Sequence, residues 1–179
     1  VTLSVTDVNG NTSACQATVT VVDAIYPTAM CQSITLILDE NGLATITPDD
    51  LDQGSSDNCS NVTTSVSIDT FDCSNVGQNN VVFTITDMQG NASSCNAIVT
   101  ILDTTAPIMD CQDITVSLED DLQVTLTLNE LFAGWSDNCA IETRSADITS
   151  FDCSNIGENT VTLTAIDSSG NEATCSIIV

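Results

Sequence analysis

The sequence predicts an all-β protein made of tandem immunoglobulin-like antiparallel β-sandwiches, about eighty residues per repeat. Three observations carry that prediction. Phe71 to Asp103, FDCSNVGQNNVVFTITDMQGNASSCNAIVTILD, recurs at an offset of eighty residues, its second half as Val1 to Asp23 and nearly all of it as Phe151 to Val179. The cysteines keep the same period: Cys15, Cys95 and Cys175; Cys31 and Cys111; Cys59 and Cys139; Cys73 and Cys153. Val, Ile and Thr dominate short runs between turn residues, and no helical period outlasts one turn.

Read by phase, residues 1–23 are the last two strands of a preceding repeat, 24–103 a complete repeat, and 104–179 a second, nearly complete one. Neither end falls at a repeat boundary. That suits an excerpt of a longer array, or a leading fragment that completes the fold of a neighbouring chain.

In the complete repeat, the first two strands are expected at Ser33–Leu38 and Leu43–Thr47, parted by the hairpin signal Asp39-Glu40-Asn41-Gly42. Pro48 to Asn58 is acidic, contains Gly and Ser, and reads as a loop with room for one helical turn at Asp49–Gln53, echoed at Asn129–Ala133. Val62, Val66 and Ile68 alternate as a third, half-buried strand. A short strand at Phe71–Cys73 and a turn at Ser74–Gly77 lead into a long hairpin, Val81–Thr86 and Ser93–Leu102, closed by Asp87–Asn91. The expected inward residues are Ile34, Leu36, Leu38, Ile46, Val66, Phe71, Val82, Ile85, Ile98 and Ile101 or their immediate neighbours. A slip of one residue would reverse each face.

Twenty-five acids stand against one base, Arg144, for a formal charge of −24. Nucleic acid and anionic membrane surfaces are therefore excluded as partners, because phosphates need clustered Lys and Arg. Without His or Lys there is no imidazole base, no His-based zinc site, no Schiff-base or phosphate-loop lysine, and no lysine-to-asparagine isopeptide staple. No apolar run approaches the roughly eighteen residues of a membrane span. The chain reads as a non-enzyme that requires no cofactor, with acidity suited to solubility and to hard cations bound through oxygen.

Nine cysteines without a CxxC pair point to disulfides in an oxidising compartment outside the cytoplasm. Placing the first and last strands of a repeat side by side predicts Cys31–Cys95 and Cys111–Cys175. Cys59–Cys73 and Cys139–Cys153 then remain, and Cys15 is left unpaired. The rival is a weld between units, Cys15–Cys31 and Cys95–Cys111.

Asp103-Thr104-Thr105-Ala106-Pro107, a Cys four residues on, Ser-Asp-Asn-Cys, Asn-Ile-Gly-Glu-Asn-Thr-Val and Asp-Ser-Ser-Gly-Asn before the last Cys follow one another along the repeat. In this order the motifs resemble the hyalin-type (HYR-like) repeat family, as strung in large surface proteins of Bacteroidetes-type bacteria that include gliding and adhesion filaments. The resemblance spans the whole chain, although in the complete repeat the linker keeps only Asp23 and Pro27. It implies an extracellular or cell-surface module with an adhesive or stalk role and no catalysis.

Three turns, Asp7 to Asn11, Asp87 to Asn91 and Asp167 to Asn171, carry Asp, Gly and Asn. Tight hairpins need those residues in any case, and the glutamate that ends an EF-hand loop is lacking. Topology nevertheless brings Asp87 and Asn91 toward Asp49, Asp50, Asp52, Asp57 and Asp23 at the pole where the chain enters, which makes a candidate Ca²⁺ site. Asp103, Asp137, Asp167 and Asn171 form the weaker counterpart, since Asn129, Glu130 and Phe132 replace the first, second and last acids of the helical turn. Candidate glycosylation sites are Asn11, Asn58, Asn61, Asn91 and Thr104. Expected partners are copies of the chain or adjacent repeats set end to end, and a surface ligand. Two alternatives remain: recognition of glycan or protein through the loop around Trp135, or self-assembly in which the 1–23 hairpin completes a neighbouring sandwich. The latter would show as two strands without partners in their own chain.

Overall fold

The computed structural model describes residues 1–179 apart from Ser60, Glu119 and Asp121. Strands dominate and are distributed over several sheets. The chain begins with β1 (Thr2–Thr6) and β2 (Thr12–Gln16), an isolated antiparallel hairpin whose residues are all exposed. Among the described residues no other strand pairs with it.

The first hydrophobic core lies within the next group of elements. These are β3 (Ile34–Ile37), β4 (Leu43–Thr45), the single-turn helix α1 (Pro48–Leu51), β5 (Thr63–Val66), β6 (Thr70–Asp72), a 3-10 turn (Cys73–Asn75), β7 (Gly77–Thr86) and β8 (Ala92–Leu102). One sheet has the order β3-β8-β7-β5, and β4 pairs with β6. Leu38, Ile46, Leu51 and Phe71 meet Val81, Phe83, Ile85, Ala97, Val99 and Ile101 in one buried cluster.

The second core follows with a related order of elements, in which β9 and β11 pair where the first half has only an isolated Thr28–Ser56 bridge and, among the described residues, no strand matches β3. It is enclosed by β9 (Ile108–Asp110), β10 (Gln123–Thr125), α2 (Leu128–Leu131), β11 (Gly134–Ser136), β12 (Ile141–Ala146), β13 (Ser150–Asp152), a second 3-10 turn (Cys153–Asn155), β14 (Thr160–Asp167) and β15 (Glu172–Ile178). Leu126, Leu131, Phe132, Phe151, Val161, Leu163 and Ile177 fill it. Residues eighty apart, such as Phe71 and Phe151 or Val81 and Val161, occupy matching places.

The side-chain register of the long hairpin differs from expectation. Val82 and Ile98 point outward, each a little over one-third exposed, while Val81, Phe83, Ala97 and Val99 point in. The cause is parity: a strand that buries Ile85 must bury Val81 and Phe83, and one that buries Ile101 must bury Val99 and Ala97. β7 also begins four residues earlier than expected, because Gly77 to Asn80 continue the ladder opposite Ile98 to Ile101. β3 pairs with β8 in parallel, Leu36 opposite Ile101, so the sheet is mixed instead of antiparallel throughout. Thr47 caps α1 in a reciprocal box with Asp50, with Pro48 in the first turn, which is why the expected loop holds a helical turn there.

Cys31 is bonded to Cys95 and Cys111 to Cys175, tying β8 and β15 to the start of their own halves. Cys59–Cys73 and Cys139–Cys153 do not form. Cys73 is bonded to Cys139 across the two halves, leaving Cys15, Cys59 and Cys153 free and exposed. The alternative weld through Cys15–Cys31 and Cys95–Cys111 is likewise not the one adopted. The geometry explains the correction. Cys59 lies beside Asp57 in the loop after α1, whereas Cys73 abuts Gly42 and the backbone of Asn138.

Gly42 makes that contact possible. Its φ is +73°, and a Cβ there would lie 2.5 Å from the Asn138 carbonyl oxygen and 2.7 Å from the Cys73 sulfur. Asn138 Nδ2 donates to the Asp39 carbonyl at 3.1 Å, a second link between the halves.

Candidate metal centre

The β7–β8 turn builds the first part of the site from local chemistry. Asp87 Oδ1 accepts from the backbone amides of Gln89 (2.9 Å) and Asn91 (2.7 Å), and Oδ2 accepts from Asn91 Nδ2 at 2.7 Å. Burial pushes the Asp87 pKa up, but the hydrogen bonds from Asn91, Gln89 and Gly90 outweigh it and leave the carboxyl below its ordinary value. Asn91 Nδ2 also donates to the Asp23 carbonyl at 3.2 Å, which draws the linker onto the turn.

Asp57 joins from the loop after α1, one carboxylate oxygen held by the Cys59 amide at 3.0 Å. Asp23 is fixed similarly by the amide of Ile25 at 3.0 Å. Carboxylate oxygens of Asp23, Asp57 and Asp87 then lie within 4.8 Å of one another. The oxygens turned away from those amides, Asp23 Oδ2 and Asp57 Oδ1, are buried and have no hydrogen-bond partner.

The same construction recurs eighty residues on. Oxygens of Asp103, Asp137 and Asp167 lie within 4.8 Å of one another. Asp167 Oδ1 accepts from the amides of Ser169 and Asn171, both at 2.8 Å, while its Oδ2 takes Asn171 Nδ2 at 2.7 Å. Asn171 Nδ2 reaches the Asp103 carbonyl at 3.2 Å. Asp137 Oδ2 accepts from the Cys139 amide at 3.0 Å, and its Oδ1 is buried without a partner.

Three full negative charges at this spacing repel by roughly 3 kcal/mol per pair at an effective dielectric constant of about 20. No cationic side chain offsets them, because the chain's single base, Arg144, stacks elsewhere. Rigid, converging, oxygen-only donors of this kind suit a hard cation of the Ca²⁺ class, with Asp23, Asp57 and Asp87, or Asp103, Asp137 and Asp167, as the carboxylate ligands.

Three of the acids expected in the first site are elsewhere. Asp50 caps α1, accepting from the Thr47 amide (2.7 Å) and hydroxyl (2.8 Å), which lower its pKa. Asp52 accepts from the amides of Gly54 and Ser55, and Asp49 is exposed in the first turn of α1. The expected weakness of the second site disappears with them. Asn129 and Glu130 lie on α2 and Phe132 caps its end, so none of the replaced positions lines a site, and the carboxylate triad is complete in both halves. Asn138 and Ser169 are additions that the reading of acids alone missed: Asn138 Nδ2 donates to Asp103 Oδ1 at 3.3 Å and Ser169 Oγ to Asp103 Oδ2 at 3.1 Å. The recurrence of Ser-Asp-Asn-Cys was the available signal for Asn138.

Cys59 borders the first triad. Its thiol is raised above the ordinary value chiefly by the adjacent Asp23 carboxylate, then by partial desolvation and by the charges of Asp57 and Asp87.

Among the glycosylation candidates, Asn11, Asn58, Asn61 and Thr104 are exposed, and the Ser60 that completes the Asn58 sequon lies outside the described residues. The Asn91 amide nitrogen is committed to Asp87 and Asp23, which removes it from the candidates in this fold. Trp135 sits in β11, 43% exposed, with the Arg144 guanidinium 3.7 Å from its ring centroid and Phe132 packed edge-on at 6.2 Å. One face of the indole is thus covered from within the chain.

No family model matches the chain. It is similar to solved structures of the extracellular cadherin domains 1–4 of protocadherin gamma B7 (16% identity, 100% of this chain and 63% of that one, TM-score 0.38). It is also similar to an endo-fucoidan hydrolase of glycoside hydrolase family 107 (15% identity, 99% of this chain and 33% of that one, TM-score 0.35). The titin domains z1z2 in complex with telethonin are a third (14% identity, 88% of this chain and 96% of that one, TM-score 0.28). The chain therefore spans about a third of the hydrolase and less than two thirds of the cadherin fragment.

Proposed function

We propose that the chain is a non-catalytic structural and adhesive module of an extracellular surface protein or filament. Its two immunoglobulin-like, hyalin-type repeats are stapled within and between units, and Ca²⁺ stiffens the place where each unit receives the chain. The observation that carries this reading is the Cys73–Cys139 bond, which joins two separate hydrophobic cores covalently. In a load-bearing protein such a bond keeps neighbouring units aligned under tension.

The disulfide pattern supports an oxidising, extracellular setting. Under tension, Cys31–Cys95 and Cys111–Cys175 each remove a separation of 64 residues from the load path. At roughly 3.5 Å per extended residue this withholds about 450 Å of contour. Single-molecule stretching of the oxidised chain should therefore stop short of the fully reduced chain by that length. Equal contour lengths with and without reductant would reject the load-bearing role.

Self-assembly through the leading segment has one specific observation in its favour. β1 and β2 form a hairpin with no further strand against it among the described residues, and Leu3 and Val5 are each 63% exposed. Recognition of a glycan or protein at Trp135 is less favoured, since Arg144 occupies one face of the ring.

A further inference from the structure

Asn9-Gly10 and Asn41-Gly42 are the two Asn-Gly pairs of the chain, and both lie in turns of the same local construction. Asp39 Oδ1 accepts from the amides of Asn41 (2.8 Å) and Leu43 (2.9 Å), the Asp39 carbonyl accepts from the Gly42 amide (3.0 Å), and the Asp39 amide donates to the Leu43 carbonyl (2.9 Å). Asp7 makes the same bonds: Oδ1 with the amides of Asn9 and Asn11 (both 2.8 Å), its carbonyl with the Gly10 amide (3.0 Å), and its amide with the Asn11 carbonyl (2.9 Å). Both glycines have positive φ, +73° at Gly42 and +87° at Gly10.

What covers the two turns differs. A Cβ built on Gly10 would meet nothing within 4 Å, and the same is true of Gly90 and Gly170 in the corresponding turns of the later repeats. Gly42 is buried under the junction between the halves, where a Cβ would lie 2.5 Å from the Asn138 carbonyl oxygen and 2.7 Å from the Cys73 sulfur. Asn138 Nδ2 also shares the Asp39 carbonyl with the Gly42 amide, at 3.1 Å. Asn41 itself is exposed.

We propose that Asn41 is a site of spontaneous deamidation to isoaspartate, held shut by the Cys73–Cys139 junction and released when that junction opens. The Gly42 backbone nitrogen loses its proton and attacks Cγ of Asn41. The new C–N bond closes a cyclic imide, and the side-chain nitrogen leaves as ammonia. Water then opens the ring. Attack at the former Asn41 backbone carbonyl leaves Gly42 bonded to Cγ, which is isoaspartate; attack at Cγ gives aspartate. Water is the only co-reactant, and a glycine on the C-terminal side leaves the approach to Cγ free of a side chain.

Ring closure requires the Gly42 amide to leave the Asp39 carbonyl and the Asn41–Gly42 peptide to rotate. Around Gly10 there is space for that movement. Around Gly42 the Asn138 backbone and the Cys73 sulfur fill it, so the reaction proceeds only from the fraction of molecules in which the junction has opened. The product then acts on the junction. Isoaspartate routes the main chain through Cβ and Cγ and lengthens it by one carbon beside a glycine whose contacts already leave no room for a Cβ. Opening followed by deamidation therefore makes loss of the weld permanent. The site needs neither a cation nor a partner chain.

The test ages the full chain in neutral buffer with its free thiols capped by N-ethylmaleimide. Peptide mass spectrometry follows Asn9 and Asn41 separately, and a protein isoaspartyl methyltransferase reads isoaspartate. In the parent, Asn9 should deamidate several-fold faster than Asn41. Cys73→Ser/Cys139→Ser should bring Asn41 up to the rate of Asn9 and leave Asn9 unchanged. Asn138→Ala keeps the disulfide and removes the shared bond to Asp39, so it should place Asn41 between those two rates. After reduction, ageing and reoxidation, the fraction of parent that regains Cys73–Cys139 should fall in step with isoaspartate at position 41, while Asn41→Gln treated alike regains more of the bond. Equal rates at Asn9 and Asn41 in the parent, an Asn41 rate that stays at the parent's in either variant, or equal recovery of the bond in the parent and Asn41→Gln would overturn the proposal.

Discussion

Replacing both Cys73 and Cys139 with Ser tests whether the two halves are welded or merely adjacent. The bond closes a separation of 66 residues. Chain-entropy estimates for a loop of that size give about 4 kcal/mol of stabilisation, the same as for the 64-residue loop of Cys31–Cys95. For a chain this long, 1 kcal/mol moves Tm by roughly 2–4 °C, so either loss corresponds to about 10 °C. What separates the two is cooperativity. Beyond the disulfide, the contacts identified between the halves centre on Asn138 with Asp39 and Gly42, together with Cys139 against the first core. Scanning calorimetry in chelator should therefore show the Cys73→Ser/Cys139→Ser variant melting in two separated transitions. Cys31→Ser/Cys95→Ser should instead lower the melting of the first half and keep the halves tethered. A Cys73→Ser/Cys139→Ser variant that melts in one transition within about 2 °C of the parent would refute the weld.

Calcium at 100 times its Kd should stabilise the native chain by about 2.7 kcal/mol per site, and Asp57→Asn and Asp137→Asn should each remove one site's share in a melt with and without chelator. Unequal losses would contradict the equivalence of the triads. Asp39, Asp72 and Asp152 are held below their ordinary carboxyl value of 3.8, Asp39 chiefly by the Leu43 amide and the other two by Ser74 and Ser154. Their contribution to stability is present above pH 3.8 and lost as pH falls through the lower folded values, so acid titration of Asp72→Asn/Asp152→Asn should show a shallower loss below that point than the parent. Gly42→Ala forces a Cβ to 2.5 Å from the Asn138 carbonyl and should raise the rate at which Cys73–Cys139 is reduced by dithiothreitol, with Cys31–Cys95 unaffected.

The strand plan was legible because alternation with period two and Asp-x-x-Gly-Asn turns are local signals, and eighty-residue recurrence repeats them. Val82 and Ile98 were misplaced because neighbouring residues in that hairpin are apolar on both faces, so hydrophobicity could not choose the parity that the Ile85 and Ile101 ladders impose. The cysteine pairing had a different obstacle. In a periodic chain a bond from Cys73 back to Cys59 and one forward to Cys139 join the same two positions of the repeat, and only three-dimensional placement separates them. The triads could be read from Asp87 and Asp167 in their turns together with the linker acids. Asp49, Asp50 and Asp52 could not be discounted beforehand, because capping a one-turn helix and ligating a cation use the same residue type.

The path of covalent bonds has a consequence for damage. Backbone from Cys73 to Cys139, closed by their sulfur bridge, makes a ring that contains the whole connector between the halves. A protease that cuts within residues 103–107 opens this ring without severing it, and both parts stay attached. The connector, the most natural point of breakage in a string of beads, is here a place where a single cut does not release a fragment.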